Sequence, residues 1–475
     1  MRLYNTMTRD LADLVPIRPG RVSMYTCGPT VWNYAHIGNF RTFLFEDLLR
    51  RWLEASGYEV YHIMNLTDVD DRTIKAAADK GLSLQAHVEP YAQAFFEDRD
   101  YLRIRPAHEY PRATQFIAPM IDLVHGLLKQ GTAYQADDGS VYFSIERFPA
   151  YGRLSRLDTR ELKTGASGRA SSDEYAKEDA RDFALWKAAS PVDEQVGAAW
   201  DAPFGRGRPG WHLECSAMAL DLLGRKWGEK TLDIHAGGVD LIFPHHEDEI
   251  AQSCAFTGLP DFARTWMHAE FLNVRGTKMS KRFGNITTAR DLKDDGVDAG
   301  AIRLLMFQTH YRQKLDLTDD ALAAAREGSQ RLGTFRHRLD EAVKVPGVVA
   351  TEATELSQTF EKEFAEALDD DLNAPRAVAA LFTFVTASNR LLDSSPPAAA
   401  TLAAAFDRAE QVLDVLPGKK PVDSALGSWV EERLEARRDA KKRRDFATAD
   451  AIRAELAARG VVIEDTPTGP KWRLG

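Results

Sequence analysis

Hydrophobic positions near the start of the chain change from strand-like runs to helical spacing and back. The apolar-rich run 22–26 ends in a Cys-Gly-Pro turn, which predicts a strand that enters a loop. Apolar side chains then recur at three- and four-residue intervals over 40–53, which predicts a helix that stops at Gly57. The run 60–64 predicts the next strand. Strand, helix and strand within about 45 residues form a βαβ unit and predict a parallel sheet.

The same rhythm returns later in the chain after an interruption. Residues 121–200 lack it, and 164–182 are polar and rich in turn-forming residues, which predicts an exposed loop. The α/β pattern returns near Trp211, with a strand-like run at 231–235. We therefore interpret the interruption as an insertion within one nucleotide-binding fold. It separates two halves, 1–120 and 201–292.

The second part of the chain is predicted to be helical from residue 293 onward. Apolar residues at helical spacing occupy four stretches, namely 318–335, 354–368, 374–392 and 400–415. The end, 427–475, begins as a charged helical pattern and continues as a strand and a turn, which indicates a small mixed module. The predicted fold class is α/β with an insertion, followed by α-helical domains and this module.

Composition narrows the class of protein. With 475 residues, 44% hydrophobic and 28% charged, the chain has the composition of a globular protein of several domains. No apolar run is long enough for a bilayer, and the first ten residues lack the apolar core of a signal peptide. Three cysteines are too few for a disulfide framework. We expect a cytoplasmic protein with no membrane partner.

Global charge does not indicate a nucleic-acid partner, because the formal net charge is −10. One local exception lies near the C-terminus. Residues 437–445 contain six basic residues against two acidic ones. Two interpretations stay open for this run, a solvated helix face and a local RNA-binding surface.

The first of two short motifs is His-Ile-Gly-Asn at 36–39, at the start of the predicted first helix. The unpaired N–H groups and partial positive charge of a helix N-terminus suit a phosphate. His36 and Asn39 can donate hydrogen bonds to phosphate oxygens, and Gly38 allows the backbone or an adenine ring to approach closely. The motif also follows the carboxyl end of the first strand, where ligands bind to parallel sheets.

The second motif, Lys-Met-Ser-Lys-Arg at 278–282, lies roughly 240 residues further along. Lys278 and Lys281 are mobile positive charges suited to the β- and γ-phosphates of ATP. In this order the two motifs resemble the nucleotide signatures of class I aminoacyl-tRNA synthetases. The resemblance implies a Rossmann-like catalytic domain that adenylates a carboxylate. The chain departs from the usual pattern at Asn39, where the family has His, and at Arg282, where it has Ser.

Four other residues carry metal-binding chemistry. His245 and Glu249 are four apart, which places both side chains on one face of a helix. Cys27 and Cys215 would complete a tetrahedral zinc set of two thiolates, an imidazole and a carboxylate. The separations match no zinc finger, so spacing alone leaves open two buried cysteines and a surface His-Glu pair.

Four segments together resemble cysteinyl-tRNA synthetases, in order and over essentially the whole chain: 26–32, 210–218, 243–247 and 278–281. The resemblance implies one zinc ion, held by Cys27, Cys215, His245 and Glu249. It implies that His246 and Glu247 surround the site and that Cys254 belongs to the core. It also places Asp240 at the ribose of ATP and the residues Gly28, Thr67 and Trp211 in the amino-acid pocket. The alternatives are a turn at Asp240 and ordinary packing at Thr67 and Trp211.

Zinc would explain how a cysteine pocket rejects serine, which has nearly the same shape. Apolar contacts discriminate poorly between isosteres, whereas zinc can bind the substrate thiol as thiolate and takes a hydroxyl less readily. Several kcal/mol of metal–thiolate binding would give about 10³-fold discrimination. An editing domain is then unnecessary, and the insertion is small for one.

The C-terminal part resembles the tRNA-docking domains of the same family. The resemblance implies a stem-contact region at 293–345, a helix-bundle domain at 346–420 and an anticodon-binding module at 421–475. Trp472 could stack on a base or fill a hydrophobic plug. The predicted reaction joins L-cysteine to tRNA(Cys), with ATP and its Mg²⁺ as co-substrate.

Two alternatives to this reaction stay open. The first is a cysteine ligase of the mycothiol pathway, whose acceptor is an amino-sugar. The second is a paralogue that binds tRNA without catalysis. The long C-terminal region argues against the first, and the intact His36, Lys278, Lys281 and zinc ligands argue against the second.

Overall fold

The structure is a computed structural model that describes residues 1–156, 182–278, 286–344, 351–394, 399–418, 424–466 and 469–474. Lys281, Arg282 and most of the predicted loop 164–182 lie outside these ranges. The strands are β1 (Arg2–Asn5), β2 (Asp10–Asp13), β3 (Arg21–Thr26), β4 (Glu59–Met64), β5 (Ala133–Gln135), β6 (Val141–Phe143), β7 (Phe183–Ala188), β8 (Gly207–Pro209), β9 (Leu232–Gly238), β10 (Ala263–Ala269), β11 (Leu272–Val274), β12 (Thr277–Lys278), β13 (Leu315–Leu317), β14 (Val461–Thr466) and β15 (Gly469–Leu474).

The helices include those predicted from apolar spacing at 40–53, 318–335, 354–368, 374–392 and 400–415. They are α1 (Ile37–Ala55), α2 (Asp71–Asp79), α3 (Leu84–Tyr101), α4 (Ile117–Gln130), α5 (Pro191–Val196), α6 (Trp211–Trp227), α7 (Glu247–Thr257), α8 (Ala289–Asp294), α9 (Ala299–Phe307), α10 (Asp319–Ala342), α11 (Thr351–Asp369), α12 (Ala374–Ser394), α13 (Ala399–Leu413), α14 (Ser424–Lys442) and α15 (Phe446–Ala458). None of the described helices combines the length and apolar character that a bilayer crossing requires.

The centre of the fold is a parallel sheet in the order β10-β9-β3-β4. The crossover α1 connects β3 to its neighbour β4, as the βαβ pattern predicts. The strands carry almost continuous buried runs, which is typical of a parallel sheet covered on both faces. This architecture confirms the predicted α/β class. The carboxyl ends of the four strands meet at one edge.

A second, antiparallel sheet stands in the segment predicted as the insertion. Its order is β5-β6-β7-β8, and it runs from residue 133 to residue 209, past the predicted boundary at 200. Lys187 and Arg208 connect it to α2 through ion pairs with Asp71. The division of the chain at 121–200 stays a proposal.

Residues 1–417 form one compact unit, which includes the helices α10 to α13. Stacked or edge-on phenylalanine rings pack between these helices, at Phe335, Phe360, Phe384 and Phe406. Residues 418–475 form a second unit, in which α14, α15, β14 and β15 enclose a small apolar core. Helices therefore follow the α/β domain, as predicted.

Asp371, in the loop between α11 and α12, ties the helical region to the N-terminal strand. Its carboxylate is buried and accepts hydrogen bonds from the Tyr4 N–H (2.8 Å) and the Tyr311 hydroxyl (2.7 Å). The Arg312 guanidinium lies 2.6 Å from the other oxygen. Three donors from two segments thus depend on one buried carboxylate, so its removal leaves all three without this partner.

We expect Asp371→Ala to lower the free energy of unfolding by about 2–4 kcal/mol, because buried donors lose their partner. Urea denaturation followed by circular dichroism measures the loss. The neighbouring Asp370→Ala is the matched control, since Asp370 makes only an exposed ion pair with Arg2, and it should cost less than about 1 kcal/mol. Equal losses in the two variants would contradict the role assigned to Asp371.

Glu410 near the end of α13 is a second buried carboxyl in this region. Burial raises its pKa to about 7, although its Oε2 accepts hydrogen bonds from the N–H groups of Val415 and Leu416. The folded state therefore holds the proton more tightly than the unfolded state, whose pKa is about 4.3. By linkage, this group's contribution to stability falls as pH rises between these two values.

Glu410→Gln keeps an acceptor for both N–H groups and removes the buried charge. We expect the variant to gain stability relative to the unmodified chain as pH increases from 5 to 8. Urea denaturation of both proteins at these two pH values measures the difference. A stability difference that does not change with pH would show that Glu410 ionises in the folded state as freely as in the unfolded state.

Candidate functional site

A cavity of about 490 Å³ opens at the edge where the carboxyl ends of the parallel strands meet. Parallel α/β sheets bind ligands at this edge because the loops that leave the strands diverge there. Most residues predicted to form the site line the cavity, namely Cys27, Gly28, His36, Gly38, Asn39, Thr67, Trp211, Cys215, Asp240 and His245. One sheet edge therefore gathers residues that are far apart in sequence.

The first motif begins α1 with an unusual cap. His36 is the N-cap residue, and its Nδ1 accepts a hydrogen bond from the Asn39 N–H at 3.2 Å. The Asn39 Oδ1 in turn accepts from the His36 N–H at 3.1 Å. This reciprocal pair is a capping box, in which each residue satisfies a backbone donor of the other. The helix start thus faces the cavity in a fixed conformation.

The first residue of the second motif and the segment that follows residue 285 are described, and both make backbone contacts. Lys278 ends β12 and pairs with Asn273 of β11. On the other side, the Ile37 N–H donates to the Thr287 carbonyl at 2.8 Å, and Thr288 bridges to His36. The segment at 287–288, which follows the second motif, therefore contacts the first motif. Lys281 itself lies outside the described residues, and the Lys278 side chain is not described.

The four predicted metal ligands converge beneath the cavity. Their donor atoms all lie within 4.8 Å of one another, and all four residues are buried. The sulfurs of Cys27 and Cys215 are 3.9 Å apart, and His245 Nε2 is 3.1 Å from Glu249 Oε1. Cys27 follows β3, Cys215 belongs to α6, and the other two flank the start of α7. This donor set could hold a metal ion.

The local structure around His245 differs from the predicted helix. Residues 242–246 form a wide, π-type turn with Phe243 in an extended conformation, and α7 begins only at Glu247. The contact between His245 and Glu249 nevertheless forms, since the turn continues directly into the helix. The Trp211 ring stacks on the His245 ring at 4.3 Å and 25°, so Trp211 fixes the orientation of that imidazole.

The charges of the cluster depend on one another. Burial opposes ionisation of Glu249, but His235 and His245 outweigh it and lower its pKa to about 2. Burial likewise disfavours the Cys215 thiolate, yet hydrogen bonding from Cys27 and the charge of His245 bring its pKa to about 6. Against the effect of burial, Glu249 and Cys215 raise the pKa of His245 to about 10. The cluster therefore combines buried negative charges with a cation.

Sequence reasoning placed His246 around this cluster but missed the buried His235 and His268 behind it. His235 Nε2 lies 3.2 Å from Glu249 Oε2, and His246 Nε2 lies 3.4 Å from the Cys27 sulfur. His246 continues to His268 at 2.8 Å, and His268 to the Thr6 hydroxyl at 2.8 Å. Burial is the main cause that lowers the pKa of His246 and His268, so both are neutral hydrogen-bonding groups.

Two of these histidines left a signal in the sequence. His235 and His268 lie on β9 and β10, and each is buried between apolar or small neighbours in sequence. A polar side chain in a strand that is buried on both faces needs a partner in the interior. His235, His246, Cys27 and Glu249 also form a second group of donor atoms within 4.8 Å of one another.

Gly28 and Thr67 meet through a residue that the sequence did not single out. The Asn65 Oδ1 accepts from the Gly28 N–H at 2.9 Å, and its Nδ2 donates to the Thr67 hydroxyl at 3.0 Å. A Cβ on Gly28 would lie 1.9 Å from the Asn65 carbonyl oxygen, so only glycine fits. Asp240 lies in the helical turn after β9, where it lines the cavity.

Three protein-family models match this chain. The model for the tRNA synthetases class I (C) catalytic domain matches residues 13–327. The DALR domain matches 363–416, and the cysteinyl-tRNA ligase anticodon binding domain matches 423–473. Each of the three models describes a different part of the chain.

Full-length relatives agree with these matches. The cysteine–tRNA ligase of Chlamydia felis (strain Fe/C-56) is 45% identical over 99% of this chain and 97% of its own. That of Chlamydia pneumoniae is 47% identical over 95% of this chain and 93% of its own.

Solved structures support the fold. Mycobacterium tuberculosis methionyl-tRNA synthetase in complex with methionyl-adenylate has a TM-score of 0.64 at 14% identity, over 83% of this chain and 92% of that one. The Agrobacterium radiobacter K84 agnB2 LeuRS in a ternary complex has a TM-score of 0.62 at 12% identity, over 85% of each chain. Taken with the family models and the full-length relatives, these likenesses show that the chain belongs to the cysteine–tRNA ligases, a family of class I aminoacyl-tRNA synthetases.

Proposed function

We propose that the cavity is where this chain activates L-cysteine with ATP and then transfers it to the 3′-terminal adenosine of tRNA(Cys). The observation that carries the proposal is the convergence of two groups at one sheet edge. The helix N-terminus with His36 and Gly38 faces the cavity beside Cys27, Cys215 and His245. A phosphate-binding element and a thiol-selective donor set thus share one pocket.

The residues of the first motif would meet the phosphates of ATP. The α1 N-terminus adds a partial positive charge, and a His36 imidazole N–H can donate to a phosphate oxygen. Charge builds on the leaving pyrophosphate as the cysteine carboxylate attacks the α-phosphorus, and fixed donors that meet this charge lower the barrier. Lys278 and Lys281 would neutralise the β- and γ-phosphates, together with Mg²⁺. Asp240 would accept a hydrogen bond from the ribose.

The donor set fits a zinc ion. Tetrahedral zinc with bonds of about 2.0–2.3 Å separates its ligand atoms by about 3.3–3.8 Å. The cluster shows 3.9 Å between the sulfurs of Cys27 and Cys215, and 3.1 Å between His245 and Glu249. Zinc would supply the positive charge that the His245 proton supplies in its absence, and it would favour the substrate thiol as thiolate. Trp211 and His235 would hold His245 and Glu249 in place.

The neighbouring histidines give these ligands hydrogen-bond partners in an environment withdrawn from water. His246 reaches the Cys27 sulfur, and His235 reaches the second oxygen of Glu249. Hydrogen bonds of this kind orient metal ligands and set their basicity. We therefore assign His235 and His246 to the support of the zinc site.

The C-terminal unit has two candidate RNA-binding features, Trp472 and the basic run. Its described residues support a different role for each. Trp472 packs on the small apolar core, and its Nε1 donates to Glu431 at 2.7 Å, so it serves as the hydrophobic plug. The side chains at 441–444 are exposed and basic, and they could contact phosphates. Transfer would follow by attack of the 2′-hydroxyl of the terminal adenosine, with the adenylate phosphate taking the proton.

We expect the zinc-loaded protein to catalyse cysteine-dependent exchange of pyrophosphate into ATP and to charge tRNA(Cys). Radiolabelled pyrophosphate and an aminoacylation assay measure the two steps. Absence of exchange would support a non-catalytic tRNA-binding protein. Exchange with transfer to an amino-sugar but not to tRNA would support the mycothiol-type alternative, against which the anticodon-domain match at 423–473 argues.

We expect Cys215→Ser to lose zinc and to weaken cysteine binding at least about 100-fold, because the donor set loses a thiolate. ATP affinity should stay within about twofold, since the nucleotide meets other residues. Metal analysis by mass spectrometry and calorimetric titration with cysteine and ATP give the three quantities. Cys254→Ser is the matched control, because Cys254 is buried beside the Pro260 carbonyl and belongs to neither metal-binding group. An unchanged cysteine affinity in metal-free Cys215→Ser would show that zinc does not recognise the thiol.

A further inference from the structure

The start of α1 differs from the other helix starts of this chain in the residue that caps it. In the described residues, three other helices begin with a capping box, and their N-cap residues are Asp70, Ser190 and Thr288. These types are the preferred N-caps, because a short side-chain oxygen reaches the backbone donor. At α1 the cap is His36, whose Nδ1 takes the place of that oxygen. A departure from the local rule beside a cavity points to a role in chemistry.

The cap defines which ring nitrogen of His36 carries the proton. Since Nδ1 accepts from the Asn39 N–H, a neutral imidazole must hold its proton on Nε2. The Asn39 side chain fixes the other end of the same residue, because its Oδ1 accepts from the His36 N–H. Asn39 therefore contacts His36 through two groups. Its backbone N–H donates to the imidazole, and its amide oxygen accepts from the His36 N–H.

We propose that Asn39 is a positioning residue for His36, which it holds as an Nε2–H donor toward ATP. This inference rests on the proposed function of the cavity and replaces the expectation that Asn39 itself donates to phosphate. The amide oxygen at position 39 closes the capping box. The backbone contacts of Ile37 and Thr288 hold the same turn from the side of the second motif.

A double-mutant cycle separates positioning from direct contact. Asn39→Val removes the amide and leaves a side chain of similar width. We expect it to lower kcat for ATP–pyrophosphate exchange about tenfold, with KM for ATP within about twofold, because a misplaced donor acts mainly on the transition state. In the His36→Ala background the same substitution should lower kcat by less than about twofold. Equal losses in the two backgrounds would overturn the proposal and assign Asn39 to the phosphate.

A conservative variant tests the acceptor directly. In α2 the Thr73 hydroxyl accepts from the Asp70 N–H at 2.7 Å, so this chain already closes one capping box with threonine. Asn39→Thr should therefore restore kcat to within about threefold of the unmodified chain, while its isostere Asn39→Val does not. If Thr and Val at position 39 reduce kcat equally, the Asn39 acceptor has no part in positioning His36.

Loss of a helix cap could by itself lower activity, and a matched variant controls for this. Thr73→Val removes the corresponding bond from a different helix, α2. It should lower stability to an extent similar to Asn39→Val, yet leave kcat within about twofold. A tenfold loss of kcat in Thr73→Val would overturn the inference, because cap loss alone would then explain both variants. Cysteine-dependent exchange by the unmodified chain is measured alongside, and its absence would refute the proposed function instead.

Discussion

A buried group of charges at one edge of the parallel sheet constrains the rest of this structure. Two sulfurs, an imidazole and a carboxylate lie within 4.8 Å of one another and are withdrawn from water. Charges in such an environment are tolerated only when each has a partner of opposite sign or a hydrogen bond. The cation on His245, or a metal ion in its place, balances the negative charges of Glu249 and Cys215. The elements around the site are arranged to supply these partners.

The network extends outward through two further buried histidines. His235 reaches the free oxygen of Glu249, and His246 reaches the Cys27 sulfur. Each of them is surrounded by buried aromatic rings, with His235 stacked on Trp266 at 4.6 Å. A polar atom in that setting has few alternatives, so its hydrogen bond fixes the geometry of the ligand it touches. Rigid ligands in turn suit a pocket that separates two amino acids of almost equal shape.

The part of the cavity formed by the start of α1 depends on a different constraint. The first N–H groups of a helix have no partner within the helix. At α1 they are met by His36 and Asn39, which bond to each other and leave the imidazole with a defined donor. The chain that follows the second motif bonds to the same turn through Thr287. The first motif and the segment that follows the second are thus in contact at one helical turn, although roughly 240 residues separate the two motifs along the chain.

The sequence by itself determined the α/β fold class, the βαβ start, the helical second part and the family, because periodic apolar spacing and short motifs are local properties. It also identified the four candidate metal-binding residues, through their chemistry and through the resemblance of their segments to the family. Only the tertiary structure decided that His235 and His268 stand behind that cluster, since parallel strands bring together residues that no spacing rule connects. The wide turn before α7 and the grip of Asn39 on His36 likewise depend on hydrogen bonds, which residue types do not specify. Where a side chain points, and which of its atoms is already bonded, is fixed by packing rather than by sequence pattern.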